Sequence, residues 1–230
     1  MSRIFVTGDT HGDIGIQKFN SIDFSYHDLL NKDDFMIVLG DFGILWENPE
    51  AKDTEKLKKF YNSLPWTTLF IDGNHENHQL LSEYPTEIWN GGKIHRISDS
   101  VIHLMRGQVF TINDKTIFTM GGARSIDKAY RRENISWWKE ELPSKEEYEE
   151  AMSNLEKHNM TVNYVLSHCC GSFYQRCILS YADNDELTNF LDRLEYDFGM
   201  KFDEWYFGHY HTNKRIDDRH TCLYDAIIEL

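Results

Sequence analysis

The sequence predicts a mixed α/β fold, with parallel pairing near its start and hairpins later, and three observations carry that expectation. Three short apolar runs, Arg3 to Gly8, Phe35 to Gly40 and Thr67 to Asp72, each end at a small or acidic residue. A helical pattern lies between the second and third runs, and a hairpin pattern follows near residue 110. Neither repeats nor low-complexity linkers interrupt the 230 residues, so a single domain over 1–230 is expected.

The three runs are short and apolar, as buried strands are. After the second, Leu57, Phe60, Tyr61 and Leu64 recur at helical spacing and predict a helix with one buried stripe. His78 falls three residues after His75 at a predicted helix start. Gln108 to Ile112 and Thr116 to Met120 flank Asn113-Asp114-Lys115, which reads as a β-hairpin followed by Gly121-Gly122. Ser144 and Glu147 have the spacing of a capping box, and Tyr148, Met152 and Leu155 form the stripe of the helix it opens. Val162 to Ser167 predicts a strand leading to His168. Leu187, Phe190, Leu191 and Leu194 predict another amphipathic helix, Trp205 to Gly208 a strand, and Thr221 to Glu229 one closing strand.

Composition excludes several classes of function. A net charge of -14 opposes binding to long duplex nucleic acid, whose affinity comes largely from Lys and Arg on phosphates, but leaves a nucleotide or a nucleic-acid end open. With 40% hydrophobic and 27% charged residues the chain is an ordinary globular protein. Met1-Ser2-Arg3 runs directly into an apolar strand, and no apolar stretch is long enough to span a bilayer, so no membrane association and a cytoplasmic location are expected. Cys169, Cys170, Cys177 and Cys222 are too few for a disulfide framework and are expected as thiols.

Five segments carry the chemistry: Gly8-Asp9-Thr10-His11-Gly12, Gly40-Asp41, Gly73-Asn74-His75-Glu76, Ser167-His168 and Gly208-His209-Tyr210-His211. Each sets a small residue beside a potential metal ligand. The carboxylate of Asp41 offers two oxygens and suits a bridge between two cations. His11, His168, His209 and His211 are neutral ligands for borderline divalent ions, and the amide oxygen of Asn74 adds a ligand without charge. Two carboxylates against two divalent cations leave a net positive centre that favours a phosphate and a hydroxide nucleophile. Alternation along extended backbone would turn Asp9 with His11, and His209 with His211, towards one centre. A lone histidine at a strand end is more often a hydrogen-bonded polar residue than a ligand; the ordered company of the other segments reverses that weighting for His168. His27, His78, His95, His103, His158 and His220 lack such company and are expected at the surface or in packing roles.

The five segments, in this order from Asp9 to His211, resemble the calcineurin-like metallophosphoesterase superfamily. The resemblance implies a sandwich of two mixed β-sheets flanked by helices, four layers in all, with the metals at one edge. It also implies roles: Asp9, His11 and His211 on one metal, Asn74, His168 and His209 on the other, Asp41 between them, and His75 as general acid or donor to the transition-state phosphate. One departure stands out. In the protein phosphatase branch the second motif continues to a phosphate-binding arginine, whereas Asp41 is followed here by Phe42-Gly43-Ile44-Leu45-Trp46, which also lacks the aspartate that can orient the catalytic histidine. Glu76 or Glu47 is then needed as a partner for His75. The basic stretch Gly121 to Arg132 is the candidate replacement for the arginine, with Arg124 or Arg131 on the phosphate; the alternative is a solvated loop paired with the acidic helix after Ser144. Trp46, Trp137 and Trp138 could stack on a nucleobase or pack in the core.

The expected function is metal-dependent hydrolysis of phosphate monoesters or diesters through two divalent ions, manganese first, with iron, zinc, nickel or magnesium as alternatives. A phosphodiesterase or nuclease acting on nucleotides or nucleic-acid ends is the second reading. A metal-binding protein without turnover is the third, opposed by the presence of His75 beside the ligands.

Overall fold

In the computed structural model, which describes residues 2–46, 52–182 and 184–230, two mixed sheets pack face to face. The seven-stranded sheet runs β13 (Ile227–Glu229), β1 (Ile4–Thr7), β2 (Phe35–Leu39), β3 (Thr67–Ile71), β6 (Val101–Leu104), β5 (Gly92–Ser98), β4 (Thr86–Trp89). The six-stranded sheet runs β11 (Lys214–Arg215), β12 (His220–Cys222), β10 (Glu204–Phe207), β9 (Tyr164–Ser167), β8 (Lys115–Met120), β7 (Gln108–Ile112). β1, β2, β3 and β6 are parallel neighbours, as are β8, β9, β10 and β12, while β13, β5, β4, β7 and β11 pair antiparallel.

Strand periodicity builds the layers. Val6 pairs with Ile37 and Ile37 with Leu69, and all three face the inter-sheet core with Phe110, Ile117, Leu166 and Tyr206 from the second sheet. Their neighbours Phe5, Met36 and Phe70 point the other way, onto α1 (Lys52–Ser63), whose Leu57, Phe60 and Tyr61 supply the expected stripe. Beyond the second sheet, α3 (Lys145–Lys157) and α5 (Glu186–Tyr196) bury Ala151, Leu155, Leu187, Leu191 and Leu194. Each such leucine contributes about 1.5–3 kcal/mol of burial. The architecture is therefore the expected four layers. No helix among the described residues is long and apolar enough to cross a membrane.

The capping box at Ser144 and Glu147 forms, and α5 has one of its own from Asp185 and Thr188. The hairpin turn tightens to Asn113 and Asp114, both left-handed, so that Lys115 joins the strand. Two sequence expectations need correction. Thr221 to Glu229 is two strands, not one: the chain leaves the second sheet after Cys222, turns where Asn213 accepts from the Tyr224 and Ala226 amides, and enters the first sheet as β13. β4 to β6 were not anticipated at all, although Asn90 and Gly91 form a left-handed turn between the first two.

A buried polar layer lies under the third strand. Arg106 donates Nε to Asp72 at 2.7 Å, His103 Nε2 is 3.2 Å from the same carboxylate, and His95 and His103 meet through their Nδ1 atoms at 3.2 Å. These histidines do serve in packing, as expected. Burial, then the nearby His103, pushes His95 down to about 4. The unfolded imidazole titrates near about 6.5, so below that pH the unfolded chain takes up a proton that the fold refuses until about 4. Stability should be flat above about pH 7 and fall by on the order of 1–2 kcal/mol by pH 5 from this group. In denaturant titrations at pH 7 and pH 5, His95→Gln should show a smaller difference than wild type; an equal difference would clear His95 of the acid sensitivity.

Candidate metal centre

The parallel strands of both sheets deliver the five segments to one edge. Asp9 follows β1, Asp41 follows β2, Asn74 follows β3, His168 directly follows β9, and His209 follows β10 after Gly208. The carboxyl ends of parallel strands are where open α/β sheets place their sites. Strand alternation is not what turns the ligands, contrary to expectation. His11, Asp41, His209 and His211 all have left-handed backbone, with φ of 48°, 46°, 68° and 47°. Non-glycine residues hold that conformation only where their surroundings impose it. Close approach also explains two glycines: a Cβ on Gly73 would strike the Asp41 carboxylate, and one on Gly208 that of Asp9.

Two groups of ligand atoms result. In the first, Asp9 Oδ2 lies 3.2 Å from His211 Nε2 and 3.6 Å from His11 Nε2, and the two imidazoles are 2.9 Å apart. In the second, Asp41 Oδ1 lies 3.3 Å from His168 Nε2, with His209 completing the group. Asn74 Oδ1 is 3.2 Å from His168 Nε2, and Asp41 Oδ2 reaches back to within 3.8 Å of His11 Nε2. All seven sequence-predicted ligands therefore converge.

Their surroundings fit divalent cations. His168 Nδ1 is 2.7 Å from the Leu39 carbonyl, which directs the other ring nitrogen, Nε2, to the centre. Asp9 Oδ1 accepts from the His209 amide at 2.9 Å, yet its Oδ2 is buried without a hydrogen-bond partner. A fully buried carboxylate oxygen within 3.2 and 3.6 Å of two imidazole nitrogens is a donor set of the kind that divalent cations take. Burial opposes charge on Asp9, but its contacts with His11 and His211 hold the carboxyl well below the usual range; Asp41 is likewise held low against burial by His168. Burial also disfavours charge on His168, but the Asp41 carboxylate outweighs it and raises the imidazole to about 9. His209, buried beside His168, falls to about 4.

His75 stands beside the ligands. Its amide donates to Asp41 Oδ1 at 2.7 Å, and its ring meets that of His11 edge-on at 5.2 Å between centroids. Glu76 does not face the His75 ring: its buried carboxylate accepts from the Phe42 amide at 2.6 Å and holds the turn after Asp41. Glu47 lies outside the described residues. The neighbour of His75 is Arg131, whose Nη2 is 2.9 Å from His75 Nε2, with Nε on Asp127 at 2.7 Å and Nη1 on the Ser136 carbonyl. Burial pushes the His75 imidazole down; Asp41 resists this and Arg131 adds to it. The basic stretch thus does not pair with the acidic helix through Arg131; Glu147 of that helix meets Arg106 instead. Arg124 is exposed, and no hydrogen bond ties it to the cluster among the described residues. Trp137 and Trp138 are buried, while Trp46 packs edge-on against Trp138. Cys169, Cys170 and Cys222 are buried thiols and Cys177 an exposed one.

Two supporting residues escaped sequence reasoning. Asn74 Nδ2 donates to the buried Ser125 Oγ at 3.0 Å, which fixes the amide with its oxygen inward. Lys18 Nζ lies within 2.6–3.2 Å of Thr7 Oγ1 and the carbonyls of Gly8, Asp9 and Tyr224. No motif marks either residue.

An edge cluster of carboxylate, amide and imidazole donors at the strand ends of a four-layer sandwich defines a metal-binding site of hydrolytic type. The sequence model of the calcineurin-like phosphoesterases matches residues 2–213, and the chain belongs to that family. No curated protein matches it at a significant level. Membership makes it a phosphoric ester hydrolase that uses divalent metal ions and acts on phosphorylated substrates.

Lys18 gives the site a test independent of metal. Replacing Lys18 with Met removes the donor shared by the Gly8, Asp9 and Tyr224 carbonyls and should destabilise the fold by about 2–4 kcal/mol. Denaturant unfolding of metal-free protein measures this; an unchanged midpoint would mean that the Asp9 turn holds itself.

Proposed function

We propose that the chain hydrolyses phosphate monoesters or diesters at a dinuclear divalent-metal centre. Asp9, His11 and His211 would hold one ion, Asn74, His168 and His209 the second, and Asp41 would bridge them. The observation that supports this most directly is the pair of ligand groups, each built on one buried carboxylate and two imidazoles, with Asp41 reaching both. Manganese at both positions suits the mixed oxygen and imidazole donors. Such ions supply Lewis acidity at the phosphoryl oxygens and lower the pKa of water near them.

The chain's own groups do the rest. The buried carboxylates fix the charge of the centre, and Ser125 keeps the Asn74 oxygen facing it. His75 donates a proton or a hydrogen bond to the leaving oxygen, as its place at the mouth of the cluster allows. Arg131 replaces the arginine missing after Asp41 as the cation for the phosphate, because its guanidinium is already held beside His75 by Asp127 and Ser136. Arg124, on the same loop, is the outer candidate for that role.

The reading is tested by adding manganese, nickel, zinc or magnesium to metal-free protein and assaying a chromogenic monoester and diester side by side. Elemental analysis of manganese-loaded protein should approach two ions per chain, and a stable value of one with full activity would end the dinuclear reading. Asp41→Asn should lose metal and turnover together. His75→Gln should keep its metal and lose about 100- to 10,000-fold in kcat on esters with poor leaving groups. Arg131→Ala should lower kcat/KM by about 1–3 kcal/mol at unchanged metal content; wild-type kinetics would return the loop to a surface role.

A further inference from the structure

A cavity of about 510 Å³ opens beside the metal centre, and His11 and His75 line its inner end. A group bonded to a phosphate held near His11 and His75 is therefore next to this cavity. Its size is that of a small-molecule site. One wall is Trp46, the residue that follows the bridging segment by five positions. The indole abuts the buried Trp138 at 5.4 Å and 83°, and the Trp46 backbone is anchored where its main-chain carbonyl accepts from Asn77 Nδ2 at 3.2 Å. Its plane lies 27° from that of His75. The other wall is α1, which presents Leu57 and Phe60, three residues apart on one helical face. At the rim stand the carboxylates of Asp13 and Asp53, the latter paired with Lys56 at 2.7 Å.

We infer that this cavity is the leaving-group pocket and that it selects phosphoesters whose alcohol carries a neutral planar ring. The inference rests on the proposed hydrolytic centre and adds its substrate class. A rigid indole opposite aliphatic and aromatic side chains favours a flat apolar group. With Lys56 paired to Asp53, the rim holds two carboxylates against one ammonium: the balance disfavours a second anionic group on the same substrate, and the carboxylates accept hydrogen bonds from hydroxyl or amino groups. An aryl alcohol and a nucleoside both have this chemistry, and the rim acceptors favour the nucleoside.

The test is calorimetric titration of manganese-loaded protein with methylphosphonate, phenylphosphonate and a nucleoside phosphonate, none of which requires turnover. Phenylphosphonate should bind about tenfold or more tightly than methylphosphonate, the worth of burying one ring. A nucleoside phosphonate that binds more tightly still assigns the pocket to nucleosides; the reverse order assigns it to simple aryl alcohols. In Trp46→Ala and in Leu57→Asp the preference for a ring should shrink to about twofold or less while manganese content is unchanged. Equal affinities in the wild type, or a ring preference that survives both substitutions, would overturn the proposal. Hydrolysis of the chromogenic monoester reports on the catalytic reading separately. Its absence with the ring preference intact removes that reading and leaves a ring-binding pocket, whereas its presence without any ring preference removes the pocket alone.

Discussion

Two carboxylates buried at neighbouring strand ends, Asp9 and Asp41, are the constraint on which the rest of the site depends. Negative charge in an apolar edge is stable only when cations or donors surround it, and the molecule commits every nearby element to that task. Amides of His209 and His75 donate to them, imidazoles of His11, His168 and His211 approach them, and glycines clear the space they fill. The Lys18 ammonium pins the backbone of the first. Left-handed conformations at four ligand residues are the conformational cost of packing so many polar groups around two side chains.

The centre is also a seam. Asp9, Asp41 and Asn74 come from one sheet and His168, His209 and His211 from the other, so the donor set exists only while the sheets keep their mutual position. The inter-sheet core of Ile37, Leu39, Leu69, Phe110, Ile117 and Leu166 maintains it over the length of the strands. At the edge itself the contact between His168 Nδ1 and the Leu39 carbonyl joins the sheets directly. Dispersion and burial thus set the site to within ångströms, and a single polar contact sets the orientation of its most deeply buried ligand.

This division explains what could be read from sequence. The strands ending at residues 7, 39, 71, 167 and 207, the three long helices α1, α3 and α5 and the seven converging residues were legible because apolar periodicity and ligand chemistry each leave a local mark. β4 to β6 leave a weaker mark: β4 is an edge strand, largely open to solvent, β5 mixes charged and apolar residues, and β6, though buried, is only four residues long and carries His103 among its apolar side chains. The split of the closing segment depends on Asn213, eleven residues before Tyr224, and no local pattern records such a contact. Alternation gave the right destination for the ligands by the wrong route, since left-handed turns after the strands do the aiming. Ser125 and Lys18 act through tertiary hydrogen bonds alone, which leave no spacing to detect.

The position of Arg131 beside His75 follows from contacts deeper in the molecule. Asp72, just before Gly73-Asn74, accepts from Arg106 through its carboxylate and from the Gly122 amide through its carbonyl. Arg106 in turn donates to the Glu140 carbonyl, beyond the loop, at 2.8 Å. Both ends of the segment that carries Ser125 and Arg131 are therefore tied to the third strand, and Ser125 adds a third tie to Asn74. A buried ion pair contributes little net stability against an apolar pair of equal volume, but breaking one side of it leaves an uncompensated charge. Its value here lies in registry. An arginine that belongs to no recognisable motif is held within hydrogen-bond distance of His75 because a polar network, which hydrophobic packing could not direct, fixes where its loop begins and ends.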